Sequence, residues 1–361
     1  MKWLMLGVLV IFLLLGGFLL TPSPVDSKAW NPPPPPRLDG PLAPNTLLQQ
    51  ADLLALGKVY GPEDTTVSED GVLYTGTQDG YIVRVFPDGR VEKWIDTGGR
   101  PLGMVFDRNG NLIVADAWLG LLSIDPQGKV TTLSREAEGT PFRFTDDVDI
   151  ADDGTIYFTD ASSRFRQPDY RLDLLETRPH GRLLRYSPKT GKTEVVLRNL
   201  YFANGVALSP DSDAVLVNET WKYRILRHWI KGPRAGQTEV FADNLPGFPD
   251  NLALDARGRY WVAFPTLRNA TIDTLHPLPW LKELVAKLPD SLKPAPQEYG
   301  LVLAFDRDGQ VLTSLHDPRG QHLQEITSVN PHGDYLYFGS LHTDRIGRLP
   351  FSAISGLGDQ P

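Results

Sequence analysis

The sequence predicts an all-β protein, a six-bladed β-propeller carried behind an N-terminal transmembrane helix. Two observations carry the propeller and one carries the helix. The first is a short phrase that returns six times: an apolar residue, a few loop residues, a glycine, then a β-rich run. The copies are centred on Gly71, Gly110, Gly154, Ser212 (in place of glycine), Gly258 and Gly333. Each reads as a turn between two strands, with Asp-Gly or Asn-Gly type residues supplying positive φ. Spacings of roughly 40 to 75 residues mark a repeat architecture, and a unit of that size with only strand signals is a four-stranded blade. The second observation is a further set of turns inside the blades: Phe86–Gly89, Asp125–Gly128, Ser187–Gly191 and Asp306–Gly309. The third is an uncharged apolar run of 18 residues, Trp3–Leu20, about 27 Å long as a helix.

In chain order, residues 1–22 read as a transmembrane signal-anchor. Lys2 and the α-amine precede the run, which keeps the amino end cytoplasmic and the rest on the extracytoplasmic side. A cleaved signal peptide, with a secreted or periplasmic product, is the competing reading; no A-x-A site follows the run. Residues 23–44 read as a Pro-rich linker, with Asn31 and five prolines to Pro36 forming a stiff spacer that stands the propeller off the membrane. Residues 45–355 form the propeller. Two blades carry insertions, at about 161–181 and about 266–300. The second contains a short helix after Pro279, with Trp280, Leu281, Leu284, Val285 and Leu288 on one face. A rim helix and a wall over the tunnel are both open readings.

Eight residues before each repeat's glycine position stand Glu63, Leu102, Asp146, Asn204, Asp250 and Glu325. Five of the six carry side-chain oxygen amid mostly apolar neighbours. A propeller brings equivalent positions to one end of its axis, where such a ring repels itself unless something positive sits inside. Oxygen ligands without Cys or His suit calcium, or magnesium. Asp116 and Asp160 end second strands and read as structural acceptors for turn amides. Ser162, Ser163 and Arg164 lie just past the inner strands of blade three, and substrate contact through Ser163 and Arg164 is one reading. A general base could come from His316, His322, His332 or His342.

Composition bounds the rest. The chain has 361 residues, 41% hydrophobic and 22% charged, with net charge −8. That acidity argues against nucleic acid as a partner. No cysteine is present, which excludes disulfides, thiolate metal sites and cysteine nucleophiles. No Gly-x-Ser-x-Gly elbow marks a serine hydrolase. Oligomeric state is not legible.

Six segments carry a resemblance. Gly61–Asp64, Thr97–Gly103, Phe142–Asp149, Tyr157–Phe165, Tyr201–Pro210 and Leu245–Asn251 resemble the strictosidine synthase-like family, in the group around adipocyte plasma membrane-associated protein. The likeness covers about residues 45–350. The broader clan, with gluconolactonase (SMP-30), paraoxonase and diisopropyl fluorophosphatase, has six-bladed propellers with tunnel calcium. The resemblance implies Glu63, Asp146, Asn204 and Asp250 as calcium ligands, with Asp146 standing where the hydrolases have Asn. It implies a membrane-anchored, calcium-dependent hydrolase of a small ester or lactone (arylesterase- or lactonase-like). There the cation polarises the carbonyl, Asp250 attacks or activates water, and Glu325 is the second choice for that role. Asn251, beside Asp250, is a substrate-binding candidate. Strictosidine synthase itself runs a metal-free condensation through one last-blade glutamate, close to Glu325. A condensing carbon–nitrogen lyase and a non-catalytic surface binding propeller are therefore the alternatives.

Overall fold

The computed structural model describes residues 16–354, together with Trp3 and Met5. The expected anchor lies largely outside the described residues. No described helix is long and apolar enough to cross a membrane.

Six four-stranded antiparallel sheets form, one per predicted blade. Their innermost strands are Thr65–Val67, Pro101–Phe106, Thr145–Ile150, Ala203–Leu208, Leu252–Leu254 and Ile326–His332. Each leads through the repeated phrase into a second strand. The turn residue takes the left-handed conformation in all six copies: φ is 80° at Gly71, 78° at Gly110, 85° at Gly154, 47° at Ser212, 78° at Gly258 and 55° at Gly333. That is the physical content of the phrase, since glycine reaches positive φ without steric cost. The second strands are mostly buried, and Leu112–Asp116 and Tyr260–Phe264 are buried along their whole length. They lie between neighbouring blades, so both faces read as apolar rather than alternating.

The sixth blade is sewn shut by the start of the propeller. Asp52–Leu54 pairs antiparallel with Ile346–Pro350, Asp52 opposite Arg348 and Leu54 opposite Ile346. Leu48 and Ala51, just before that strand, share one core with Leu315, Leu323 and Leu336. The ring therefore closes by backbone hydrogen bonds between the two ends of the propeller.

Two expectations need correction. The Pro-rich stretch is not a free spacer, because it is tied down onto the propeller. Ser27 Oγ donates to the Leu175 carbonyl (2.8 Å), and the Lys28 and Trp30 amides donate to the Glu176 (2.9 Å) and His276 (3.0 Å) carbonyls. Arg268 and Asn244 donate to the carbonyls of Pro33 (2.6 Å) and Pro34 (3.0 Å). Prolines lack N–H but keep free acceptors, and an extended proline run offers them to any donor beside it. The Trp30 ring lies against Tyr223 and His276, with the Lys222 ammonium 4.0 Å from its centroid. The second correction concerns the inserted helix. The insertions hold α1 (Tyr170–Glu176), α2 (Ala270–Leu275) and α3 (Pro279–Ala286). On α3, Trp280 is 61% exposed, and the buried face carries Lys282 and Ala286. The Lys282 ammonium donates to the Lys28 carbonyl (2.6 Å) and to Thr177 Oγ1 (2.8 Å). Those acceptors let the charged residue turn inward and the tryptophan out.

Candidate functional site

All six positions of the predicted ring, Glu63, Leu102, Asp146, Asn204, Asp250 and Glu325, line one cavity at the end of the propeller where the innermost strands begin. Its walls are mostly apolar: Phe144, Phe202, Trp221 and Phe248 from the blades, and Tyr170, Leu174 and Ile272 from the insertions. Both insertions therefore wall the cavity. The floor is polar and the sides are mostly apolar, with Gln167, Arg171, Asn269 and Lys293 among the wall residues.

Three of the ring residues are held at their carbonyls by side chains of the blade next to them. Thr159 Oγ1 donates to the Asn204 carbonyl (2.7 Å) and Thr327 Oγ1 to the Glu63 carbonyl (2.6 Å). Asn218 Nδ2 donates to the Asp250 carbonyl. Blade contact here demands glycine: a Cβ on Gly205 would sit 2.5 Å from the Asp250 carbonyl oxygen. These holding residues escaped the sequence reading, because they sit on second strands or neighbouring blades. Asn218 begins an Asn-Glu-Thr sequon, and its complete burial removes it from glycosylation in the folded chain.

The backbone is satisfied, but the side-chain oxygens are not. Glu63 Oε2, Asp146 Oδ2 and Asn204 Oδ1 are buried without any hydrogen-bond partner, as is Asn251 Oδ1. Most buried polar atoms find partners, so orphans gathered at one site require an explanation. The carboxyls are also strained electrostatically. Glu63 is raised well above the ordinary carboxylate range, first by burial and then by the charges of Asp250 and Asp146. Asp146 is raised well above it by burial and then by Asp250 and Asp147. Burial pushes Asp250 up to about 8. One buried cation faces the ring: Arg100, 1% exposed, acts electrostatically on Glu63, Asp116 and Asp146. Its guanidinium donates to the Gly61 carbonyl at 3.2 Å. Arg100 lies inside the Thr97–Gly103 segment, yet its inward turn had no signal in the sequence.

Among the described residues, no three His, Cys, Asp or Glu side chains are gathered closely enough to form a finished ion site. The donor set nevertheless fits a hard cation. Two carboxylate oxygens and one amide oxygen are left without partners at equivalent positions of three blades, with Asp250 beside them. Neutral oxygen and carboxylate donors without sulfur or imidazole match calcium or magnesium chemistry.

The remaining candidates divide. Glu325 lines the cavity in a left-handed backbone conformation (φ 47°), and its carboxylate accepts from His342 Nδ1 at 2.9 Å. Asn251 does not line the cavity; its Nδ2 donates to Glu63 Oε1 at 3.3 Å, which makes it an orienting group for that carboxylate. Ser163 and Arg164 are not brought to the cavity. Ser163 Oγ donates to the His180 carbonyl (3.0 Å), and Arg164 pairs with the buried Glu176 carboxylate (2.8 Å). Gln167, Tyr170 and Arg171 of the same insertion line the cavity instead. His316 is sealed between Tyr299 and Ser314, and His322 is engaged with the Ala51 carbonyl. Asp116 and Asp160 are structural: Asp116 Oδ1 accepts the amides of Arg100, Trp118 and Leu119, and Asp160 Oδ1 those of Arg143 and Phe144.

Comparison with known proteins agrees with this architecture. By fold the chain is similar to a gluconolactonase from Xanthomonas campestris (TM-score 0.62, 18% identity, 92% of this chain and 99% of that one). It is also similar to a calcium-binding protein, regucalcin, from Agrobacterium tumefaciens (TM-score 0.55, 15% identity, 82% and 90%). These likenesses show the six-bladed β-propeller fold. By sequence, residues 40–85 match the model of the strictosidine synthase-like N-terminal region, and residues 146–233 that of strictosidine synthase. The chain is 38% identical over 378 residues to adipocyte plasma membrane-associated protein of Rattus norvegicus (98% of this chain, all of that protein). It is 40% identical over 317 residues to protein strictosidine synthase-like 6 of Arabidopsis thaliana (86% of this chain, 84% of that protein). The chain belongs to the strictosidine synthase-like family.

Proposed function

We propose that this protein is a membrane-anchored, calcium-dependent hydrolase of esters or lactones that works in the tunnel cavity. One observation carries the reading: the unpartnered, buried oxygens of Glu63, Asp146 and Asn204 beside Asp250, on the floor of an apolar cavity. These four residues would hold the cation. When bound, calcium supplies a positive charge that polarises a carbonyl and stabilises the oxyanion developing from it. The chain's own residues do the rest. The aromatic walls take the apolar part of the substrate and exclude water. Asp250 accepts the proton of an attacking water. Asn251 keeps Glu63 oriented, and Thr159, Thr327 and Asn218 keep the ring's backbone in place. The gluconolactonase-type fold supports a lactonase-like reading, and membrane association is supported by the apolar run Trp3–Leu20 and the names of the mammalian relatives.

A second reading has its own observation. Glu325 stands in the cavity on a strained backbone with His342 as partner, an arrangement suited to proton transfer in a metal-free condensation. Elemental analysis of the purified protein, combined with a panel of ester and lactone substrates with and without chelator, separates the readings. Bound calcium with chelator-sensitive turnover is expected. Turnover indifferent to chelator would favour the condensing enzyme. Bound metal with no turnover would favour a binding propeller.

A further inference from the structure

Large apolar side chains left exposed on the propeller are distributed unevenly. Among the described residues from the propeller and its insertions they are Leu56, Tyr60, Trp118, Val130, Val240, Trp280, Leu292 and Leu312. Val130, Val240 and Leu312 sit on outermost strands of three blades. The other five occupy connections at the cavity end. Leu56 and Tyr60 lie in the segment entering the innermost strand of blade one. Trp118 lies in the turn between the second and third strands of blade two. Trp280 and Leu292 lie in the insertion that walls the cavity. The turns at the opposite end carry none. Scattered apolar residues on a surface need no explanation, but five of these eight share the connections of one end, and none sits in a turn at the other.

The same end receives the apolar run. Residues 16–20 are helical, and the Lys287 ammonium at the end of α3 donates to the carbonyls of Phe18 and Leu19, both at 3.3 Å. Ser23 Oγ donates to the Glu283 carbonyl, also on α3. Residues 24–30 then run between α1 and α3, the helices flanking the cavity mouth. The described end of the apolar stretch thus meets the folded protein at the C-terminal half of α3, in an insertion at the cavity end.

Resting on the anchor reading above, we infer that the cavity end of the propeller lies against the lipid bilayer, with Trp280 and Leu292 at the head-group level. An indole seats well there, with one edge apolar and one edge able to hydrogen-bond. The short tether allows no other face to reach the surface, since the chain between Leu20 and the propeller is pinned to α1 and α3 rather than free. The cavity mouth opens toward lipid, and its apolar walls continue that environment inward to the oxygen ring. Ligands therefore enter from the lipid phase: amphiphilic molecules with an apolar body and a polar carbonyl end.

The absence of cysteine makes the test direct, because any introduced thiol is unique. Full-length Trp280→Cys, Leu292→Cys and Asn109→Cys proteins are each labelled with an environment-sensitive fluorophore and reconstituted in phosphatidylcholine vesicles. Asn109, in the turn after the innermost strand of blade two, reports the opposite end. Labels at 280 and 292 are expected to be quenched by nitroxide-bearing lipid and shielded at least about fivefold from aqueous iodide relative to 109. Equal iodide access at all three positions, with protein retained on vesicles after carbonate washing, overturns this inference alone. Release by carbonate overturns the anchor and the inference together. Shielding from iodide without nitroxide quenching, with 280-to-280 crosslinking, assigns the face to a second copy of the chain and also overturns it.

Discussion

Asn204→Ala tests the role of a single ring residue. Asn204 Oδ1 is buried without a partner, so its removal breaks no hydrogen bond made by that atom. Removing an unpartnered buried acceptor relieves about 1–3 kcal/mol, which offsets the loss of the bond that the Asn204 amide makes to Asp250, so the chelated protein should stay close to wild-type stability. Calcium at a hundred times its dissociation constant should stabilise the wild type by about 2.7 kcal/mol. At about 2–4 °C per kcal/mol for a large domain, that raises the melting temperature by about 5–10 °C. Removing ligand-orienting groups weakens metal sites about ten- to hundredfold, and loss of a ligand oxygen should cost at least as much. A hundredfold loss would leave the variant half-saturated, with only about 0.4 kcal/mol of stabilisation at the same calcium concentration. The shift should then fall to about 1–2 °C and recover when calcium is raised a further hundredfold. Scanning calorimetry of both proteins, in chelator and across a calcium series, gives every quantity. Superimposable calcium shifts would remove Asn204 from the ligand set. No shift in the wild type would refute the ring argument as a whole.

Asp250→Asn keeps size and one ligand oxygen but removes basicity, and should lower ester turnover by about a hundredfold or more with calcium still bound; if Glu325→Gln abolishes turnover while Asp250→Asn leaves it intact, the roles are reversed. Arg100→Met should destabilise the chelated protein, because it removes the buried charge that acts on Glu63 and Asp146 and leaves the Gly61 carbonyl without its guanidinium donor. The same change should enlarge the calcium-induced melting shift, since the guanidinium repels the ion; a smaller shift than wild type would contradict this. Asp173, fully buried between Ser162 and Trp221, is pushed up to about 7 from 3.8, chiefly by burial, so the folded state holds its proton more tightly than the unfolded chain. Its contribution to stability is therefore complete below about pH 4 and lost as pH rises through about 7. Denaturant unfolding between pH 4 and 8 should show a shallower decline in Asp173→Asn than in wild type, and parallel curves would exclude that residue as a source.

The sequence by itself determined the blade count and the ring. Both rest on local chemistry repeated in register: a residue able to take positive φ at a turn, and a residue at constant distance from it on an innermost strand. Closure around one axis carries equal positions to equal places, so Glu63, Leu102, Asp146, Asn204, Asp250 and Glu325 meet at one cavity although up to 262 residues separate them. What breaks the repeat was left to the tertiary structure. Ser163 and Arg164 stand beside the correct strands, yet Glu176 and the His180 carbonyl offer them partners away from the cavity. Arg100 reads as a surface charge until Gly61 and the ring's carboxylates surround it. The proline run reads as a spacer until Arg268 and Asn244 take its carbonyls, and Trp280 reads as core until Lys282 finds acceptors on Lys28 and Thr177. A single chain's periodicity specifies positions that repeat, whereas a side chain in an insertion or linker chooses its direction from donors and acceptors supplied by distant segments, and only the folded molecule brings those within reach.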